Sequence, residues 1–189
     1  MMPGIGMIFG AIPVEDLMRR KNRFEPLSRK QQIGAFIVYA GLAMLSAFIG
    51  MMIFGTFSAA AIGAAMTTLF SAFNPFARFR HSGIGSSFGA ALVVSPFPIL
   101  LFGLMYATGY GVLGKKHAIG MMSGILGTML LVPTAPHTIL KSVQFAPFRD
   151  ITEHTVFFII LGLTLFVKHL PDIRVVVLAA MQEKYSDED

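Results

Sequence analysis

Five histidines are the first residues that could do chemistry: His81, His117, His137, His154 and His169. An imidazole can ligate a metal or a haem, or carry a proton. No two of them stand four apart, and none lies deep within an uncharged run. Bis-histidine haem ligation needs two facing imidazoles, and the spacing does not call for such a pair. The sequence therefore predicts no metal and no cofactor. Asp150, Glu153 and His154 form a second cluster. On a helix, Asp150 and His154 share a face and could act as an acid–base pair. The same residues fit a D-x-x-E capping box that opens an apolar helix, where acidic groups are favoured. Capping is the expectation, and no residue is assigned as catalytic.

A third stretch, from Phe73 to His81, alternates aromatic and cationic side chains. Such a stretch anchors a helix end at a membrane interface. It also predicts contact with lipid headgroups through Arg78, Arg80 and His81. The absences are informative too. The chain has no cysteine, which excludes disulfides, thiolate chemistry and iron–sulfur clusters. It has no P-loop, no G-x-S-x-G and no H-E-x-x-H. No Asp, Glu, Lys or Arg lies inside the long apolar runs. Proton pumps and ion-coupled transporters use such groups, so both are disfavoured.

The elements around these residues must be membrane helices. Hydrophobic residues make up 54% of the 189, charged residues 13%, and mean hydropathy is +0.69. Soluble domains carry about 25% charge. Hydrocarbon is the solvent that fits this chain. The net charge of +5 lies between apolar runs, where the positive-inside rule acts, so the partners expected are membrane lipids rather than nucleic acid. The expected fold is all-α: a transmembrane bundle of about four to six spans, one with a proline break.

Residues 1–32 read as an apolar and basic interfacial segment, 33–181 as the bundle, and 182–189 as an acidic tail. The start lacks a basic leader and runs into Glu15–Asp16, which argues against a cleaved signal peptide. Ser28 and Gln31 have capping-box spacing ahead of an apolar run. No charge follows until Arg78, which leaves room for two spans of about 20 residues. Ile33–Phe54 and Phe57–Phe73 read as a hairpin turning between Gly55 and Ser58. The uncharged run from His81 to Gly114 contains Pro96 and Pro98, which imply a kink or break. Strict alternation would put Lys115 and Lys116 opposite the first basic cluster. Either this run is re-entrant or the positive-inside bias is weak. Ala118–Val132 reads as a further span. Thr155–Val167 and Val175–Met181 read as two shorter apolar stretches.

Small residues recur at four-residue spacing at Ala59 and Gly63, at Gly85 and Gly89, and at Gly120 and Gly124, with Gly127 extending the last stripe. Lipid tails are as apolar as leucine, so membrane helices associate through close backbone approach. These seven residues are the predicted helix-packing sites, within the bundle or against other membrane-protein subunits.

Two motif-like segments and one shorter match carry a family resemblance. Gly10-Ala-Ile-Pro13 is similar to a G-S-I-P motif, and Asn74–Ser87 is similar in outline to a segment built around K-G-G-K-G. His169-Leu-Pro-Asp172-Ile-Arg174 is similar to H-x-x-N-I-x-R. Together they resemble the bacterial acyl-phosphate-dependent glycerol-3-phosphate acyltransferases, over about half of the chain. The resemblance implies a small multi-span enzyme of phospholipid synthesis. The family's Gly-Ser-Gly-Asn loop is absent, and Ile84 stands where its second lysine should be. Those losses imply lost or altered catalysis.

The leading expectation is a non-catalytic integral membrane subunit of a larger, energy-transducing complex. The membrane would be the mitochondrial inner membrane or a bacterial cytoplasmic membrane. A divergent acyltransferase is the alternative, and a channel or carrier for a neutral solute is the third.

Overall fold

A computed structural model describes residues 2–18, 27–74, 83–112, 116–142 and 150–186. All regular structure among them is helical. The helices are α1 (Met2–Ala11), α2 (Val14–Met18), α3 (Arg29–Phe54), α4 (Phe57–Ala72), α5 (Ile84–Val94), α6 (Phe97–Val112), α7 (His117–Leu131), α8 (His137–Ser142) and α9 (Ile151–Ser186), with a 3₁₀ turn at Val132–Thr134. Three segments are long and apolar enough to cross a membrane: Arg29–Phe54, His117–Thr134 and Ile151–Val176. α4, α5 and α6 are apolar but shorter. Large apolar side chains cover the outside, among them Ile37, Phe48, Met52, Leu100 and Leu130. A soluble protein does not expose apolar surface on this scale.

Local chemistry sets the boundaries of α3. The Ser28 hydroxyl accepts the Gln31 N–H at 3.4 Å, and the Gln31 side chain accepts the Ser28 N–H at 3.0 Å. This reciprocal pair satisfies two N–H groups that the first helical turn leaves orphaned. Gln31 Nε2 also donates to the Met18 carbonyl, tying α2 to the start of α3. At the far end Gly55 adopts φ 65°, a left-handed conformation that costs glycine nothing. Thr56 then caps α4 by accepting the Ala59 N–H. The hairpin expected between Phe54 and Phe57 is therefore closed by one glycine and one threonine.

Neighbouring contacts fix the direction of each helix. Gly85 meets Phe36 and Gly89 meets Ala40, so α5 runs alongside α3 in the same direction. Ser58 hydrogen-bonds Glu153, and Phe73 lies under Lys168, so α9 runs in the direction of α4. Gly162 abuts Met129 while Leu165 clusters with Met121 and Met122, so α7 opposes α9. Phe102 meets Gly124 and Tyr106 bonds His117, so α6 opposes α7. It follows that α5 and α6 run in opposite directions. The chain reverses at Ser95–Pro96, which sits well short of the Phe54 end of α3.

Gly83 and Val112, the described limits of the uncharged run from His81 to Gly114, lie at the same end of the bundle. Lys116 therefore lies at the Arg29 end, together with Lys30, Lys168 and Arg174. Asp150 and Glu153 lie at the opposite end. One sequence expectation needs correcting. Thr155–Val167 and Val175–Met181 are not separate stretches, because α9 runs unbroken through Pro171. Residues 182–186 continue that helix.

Where α3, α4 and α5 meet, the core is made of small residues. Ala43, Ala47, Ala60, Ala64 and Ala90 are fully buried and bring α3, α4 and α5 together. Three buried threonine hydroxyls are satisfied within their own helices. Thr67 donates to the Gly63 carbonyl at 2.9 Å, Thr68 to Ala64 at 3.1 Å, and Thr164 to Ile160 at 2.8 Å. Ser71 and Ser86 bond each other across the α4–α5 contact.

Candidate functional site

The predicted small residues all sit at helix contacts, and the atoms they meet differ. Between α3 and α4, a Cβ on Gly63 would come 2.9 Å from the Ser46 carbonyl oxygen, and one on Gly50 would come 2.6 Å from that of Ala59. Gly85 meets the Phe36 carbonyl at 2.7 Å, and Gly89 lies directly on the backbone of Ala40. Gly120 faces the Tyr106 ring, Gly124 the Phe102 ring and Gly127 the Met105 side chain.

Close-contact glycines missed in the sequence include Gly50, Gly109 and Gly162, and two on α1. Gly6 and Gly10 on α1 each leave only 2.5 Å between a virtual Cβ and a carbonyl oxygen of α4, that of Gly63 and that of Thr67. The segment expected at the interface thus lies along α4. The four-residue spacing of Gly6 and Gly10 was the available signal. Buried Asn74 fixes the end of α1 by donating from Nδ2 to the carbonyls of Ala11 at 2.9 Å and Gly10 at 3.4 Å.

One small-residue stripe has nothing against it among the described residues. Gly103, Ala107 and Gly111 recur at four-residue spacing on α6 and are exposed. A Cβ on Gly103 or Gly111 would meet nothing within 4 Å.

The groups that could do chemistry are dispersed. Asp150 accepts the Thr152 N–H at 3.3 Å, as a helix cap does. Glu153 accepts from the Ser58 hydroxyl at 3.2 Å. His154 turns into the core, fully buried, its ring 4.7 Å from that of Phe158. His117 Nδ1 lies 2.8 Å from the Tyr106 hydroxyl, and His169 Nδ1 lies 2.9 Å from Asp172 Oδ2. Among the described residues, no three acidic or imidazole groups converge to hold a metal. The predicted headgroup contacts Arg78, Arg80 and His81 lie outside the described residues. The side chain of His137 also lies outside them.

A cavity of about 90 Å³ lies between α5, α6, α7 and α9. Its walls are apolar, built from Ile84, Phe88, Phe102, Met129 and Leu165. Ser87 also lines it, and its buried hydroxyl has no hydrogen-bond partner among the described residues. The buried Nε2 of His169 likewise has none.

Comparison with protein-family models, with curated proteins and with solved structures found no match to this chain.

Proposed function

We propose that this chain is a non-catalytic integral membrane subunit that packs against other membrane-protein subunits. The observation that carries this reading is the bare stripe on α6. Elsewhere Gly–x₃–Gly spacing coincides with a helix seated on the stripe: Gly6 and Gly10 under α4, Gly85 and Gly89 under α3, Gly120 and Gly124 under α6. Gly103, Ala107 and Gly111 have the same spacing and no occupant. In lipid, close backbone approach is what holds helices together, so this face suits a partner's transmembrane helix.

In this reading α3, α4, α6, α7 and α9 cross the bilayer, and α1 and α5 are shorter inserted helices, with the proline break at Pro96 inside the membrane. The Arg29 end faces the cytoplasm or matrix, because Arg29, Lys30, Lys116, Lys168 and Arg174 favour that side. The membrane is the mitochondrial inner membrane or a bacterial cytoplasmic membrane, and the complex is energy-transducing. Blue-native separation after mild extraction, with mass spectrometry of the band, tests the assignment. Co-migration with other membrane subunits is expected; migration as a lone 20.5 kDa chain plus detergent contradicts it. Cysteines introduced at Lys30 and Lys116 should both react with an impermeant maleimide from the same face of sealed vesicles.

A second reading, a divergent acyltransferase, is favoured by one observation. Two of the segments that resemble that family touch, Asn74 donating to the Gly10 and Ala11 carbonyls, and Lys168, which precedes the third, lies over Phe73, which precedes the second. Acyl transfer to glycerol-3-phosphate by the purified chain, above an empty-membrane control, would support it. No turnover above that control would sink it.

A further inference from the structure

We propose that the cavity between α5, α6, α7 and α9 holds one glycerophospholipid, with an acyl chain between the helices, an ester oxygen at Ser87 and a phosphate oxygen at His169. The inference rests on the reading of the bundle as membrane-embedded. It adds a ligand site at Ser87 and His169, whose buried polar atoms helix packing leaves without partners among the described residues.

The walls are apolar and suit a chain of methylenes. A volume of about 90 Å³ takes a short stretch of chain, and the remainder lies along the outer surface. A purely apolar occupant would leave Ser87 unsatisfied. A buried hydroxyl without a partner is costly, and more so in a low-dielectric wall. An ester carbonyl accepts the hydrogen bond that this hydroxyl lacks.

His169 stands one turn beyond Leu165 on α9, about 6 Å of rise, on the same helix face as the cavity wall. Its ring is oriented by Asp172, whose carboxylate accepts from Nδ1–H at 2.9 Å. That leaves Nε2 turned inward with no partner among the described residues. Nε2 is thus the atom left to share a proton with a phosphate oxygen in a charge-assisted hydrogen bond. Lys168 adds a further positive charge at the same level. The order of groups from the bundle interior to the Arg29 end is therefore apolar wall, hydroxyl, imidazole. A glycerophospholipid carries the matching order of acyl chain, ester and phosphate.

The test uses the full chain in phosphatidylcholine vesicles containing a small fraction of phosphatidylglycerol with a diazirine on one acyl chain. Vesicles are floated, irradiated and digested, and the adducts are mapped by mass spectrometry. Adducts concentrated on the α5, α6 and α9 peptides that carry Phe88, Phe102 and Leu165 are expected. Ser87→Ala should lower their yield by about two- to tenfold, the range of one lost hydrogen bond. Ala91→Leu, which fills the cavity, should lower it further, while Ile37→Ala on the outer face of α3 should not change it. If Ala91→Leu fails to fold, Ser87→Ala decides. Adducts spread evenly over exposed positions such as Ile37, Phe48 and Val156, and indifferent to Ser87→Ala, would overturn the site and leave the membrane reading intact. Failure of the chain to float with vesicles would overturn both.

Discussion

The two halves of the bundle use glycine in opposite ways. Among α1, α3, α4 and α5, glycines meet backbone: Gly6 on Gly63, Gly10 on Thr67, Gly50 on Ala59, Gly85 on Phe36 and Gly89 on Ala40. Among α6, α7 and α9, glycines meet side chains: Gly120 on Tyr106, Gly124 on Phe102, Gly127 on Met105 and Gly162 on Met129. A carbonyl oxygen yields only if its helix moves. A methionine yields by changing rotamer. The first half should behave as a rigid unit and the second as an adjustable one. The apolar cavity lies where the two halves meet, with α5 as one wall, and the bare stripe of α6 belongs to the adjustable half.

Substitutions can break this comparison. The largest effect is expected at Gly89. Gly89→Leu should drive α5 off α3 and cost about 3 kcal/mol or more, at the upper range of core overpacking, read as a lowered midpoint of unfolding in detergent. A smaller loss, about 1–3 kcal/mol, is expected for Gly10→Ala, because the added methyl is smaller than leucine and the approach to the Thr67 carbonyl oxygen, 2.5 Å, is less close than that of Gly89 to Ala40. Protease release of the N-terminal segment would report it separately from global unfolding. Gly55→Ala should cost about 1–2 kcal/mol, since a side chain must then adopt φ 65° at the α3–α4 turn. The smallest effect is expected at Gly127. Gly127→Ala should cost less than about 1 kcal/mol if Met105 moves aside as its flexibility allows. Equal losses for Gly89→Ala and Gly127→Ala in the same assay would remove the distinction between the halves.

How much of this was legible in the sequence depended on the length scale of the signal. The α3–α4 hairpin could be read because its signals are local: a serine and glutamine three apart, an uncharged run, and Gly55 where the chain must turn. The reversal between α5 and α6 could not be read. Pro96 ends a helix equally well for a kink, a break or a turn, and contacts with α3 and α7 decide among them. The continuity of α9 could not be read either, because Lys168, Pro171, Asp172 and Arg174 interrupt its apolar pattern. A proline costs a helix one hydrogen bond, but α9 has α4 and α7 alongside its first half and continues through it. Gly6 and Gly10 carried the right spacing within a segment too short to suggest a buried helix. The orphaned atoms of Ser87 and His169 had no signature in the sequence, because a missing partner is a property of three-dimensional surroundings.

The absence of cysteine offers a direct test of the bare α6 stripe, since a single introduced cysteine is unique. Ala107→Cys and Phe48→Cys chains, each labelled with a benzophenone maleimide and returned to their native membrane, are irradiated and resolved by denaturing electrophoresis. A discrete heavier adduct containing a second membrane protein is expected from Ala107→Cys and not from Phe48→Cys, whose face is turned to lipid. Lipid adducts alone from both positions would contradict the assignment of α6 as the seat of a partner subunit.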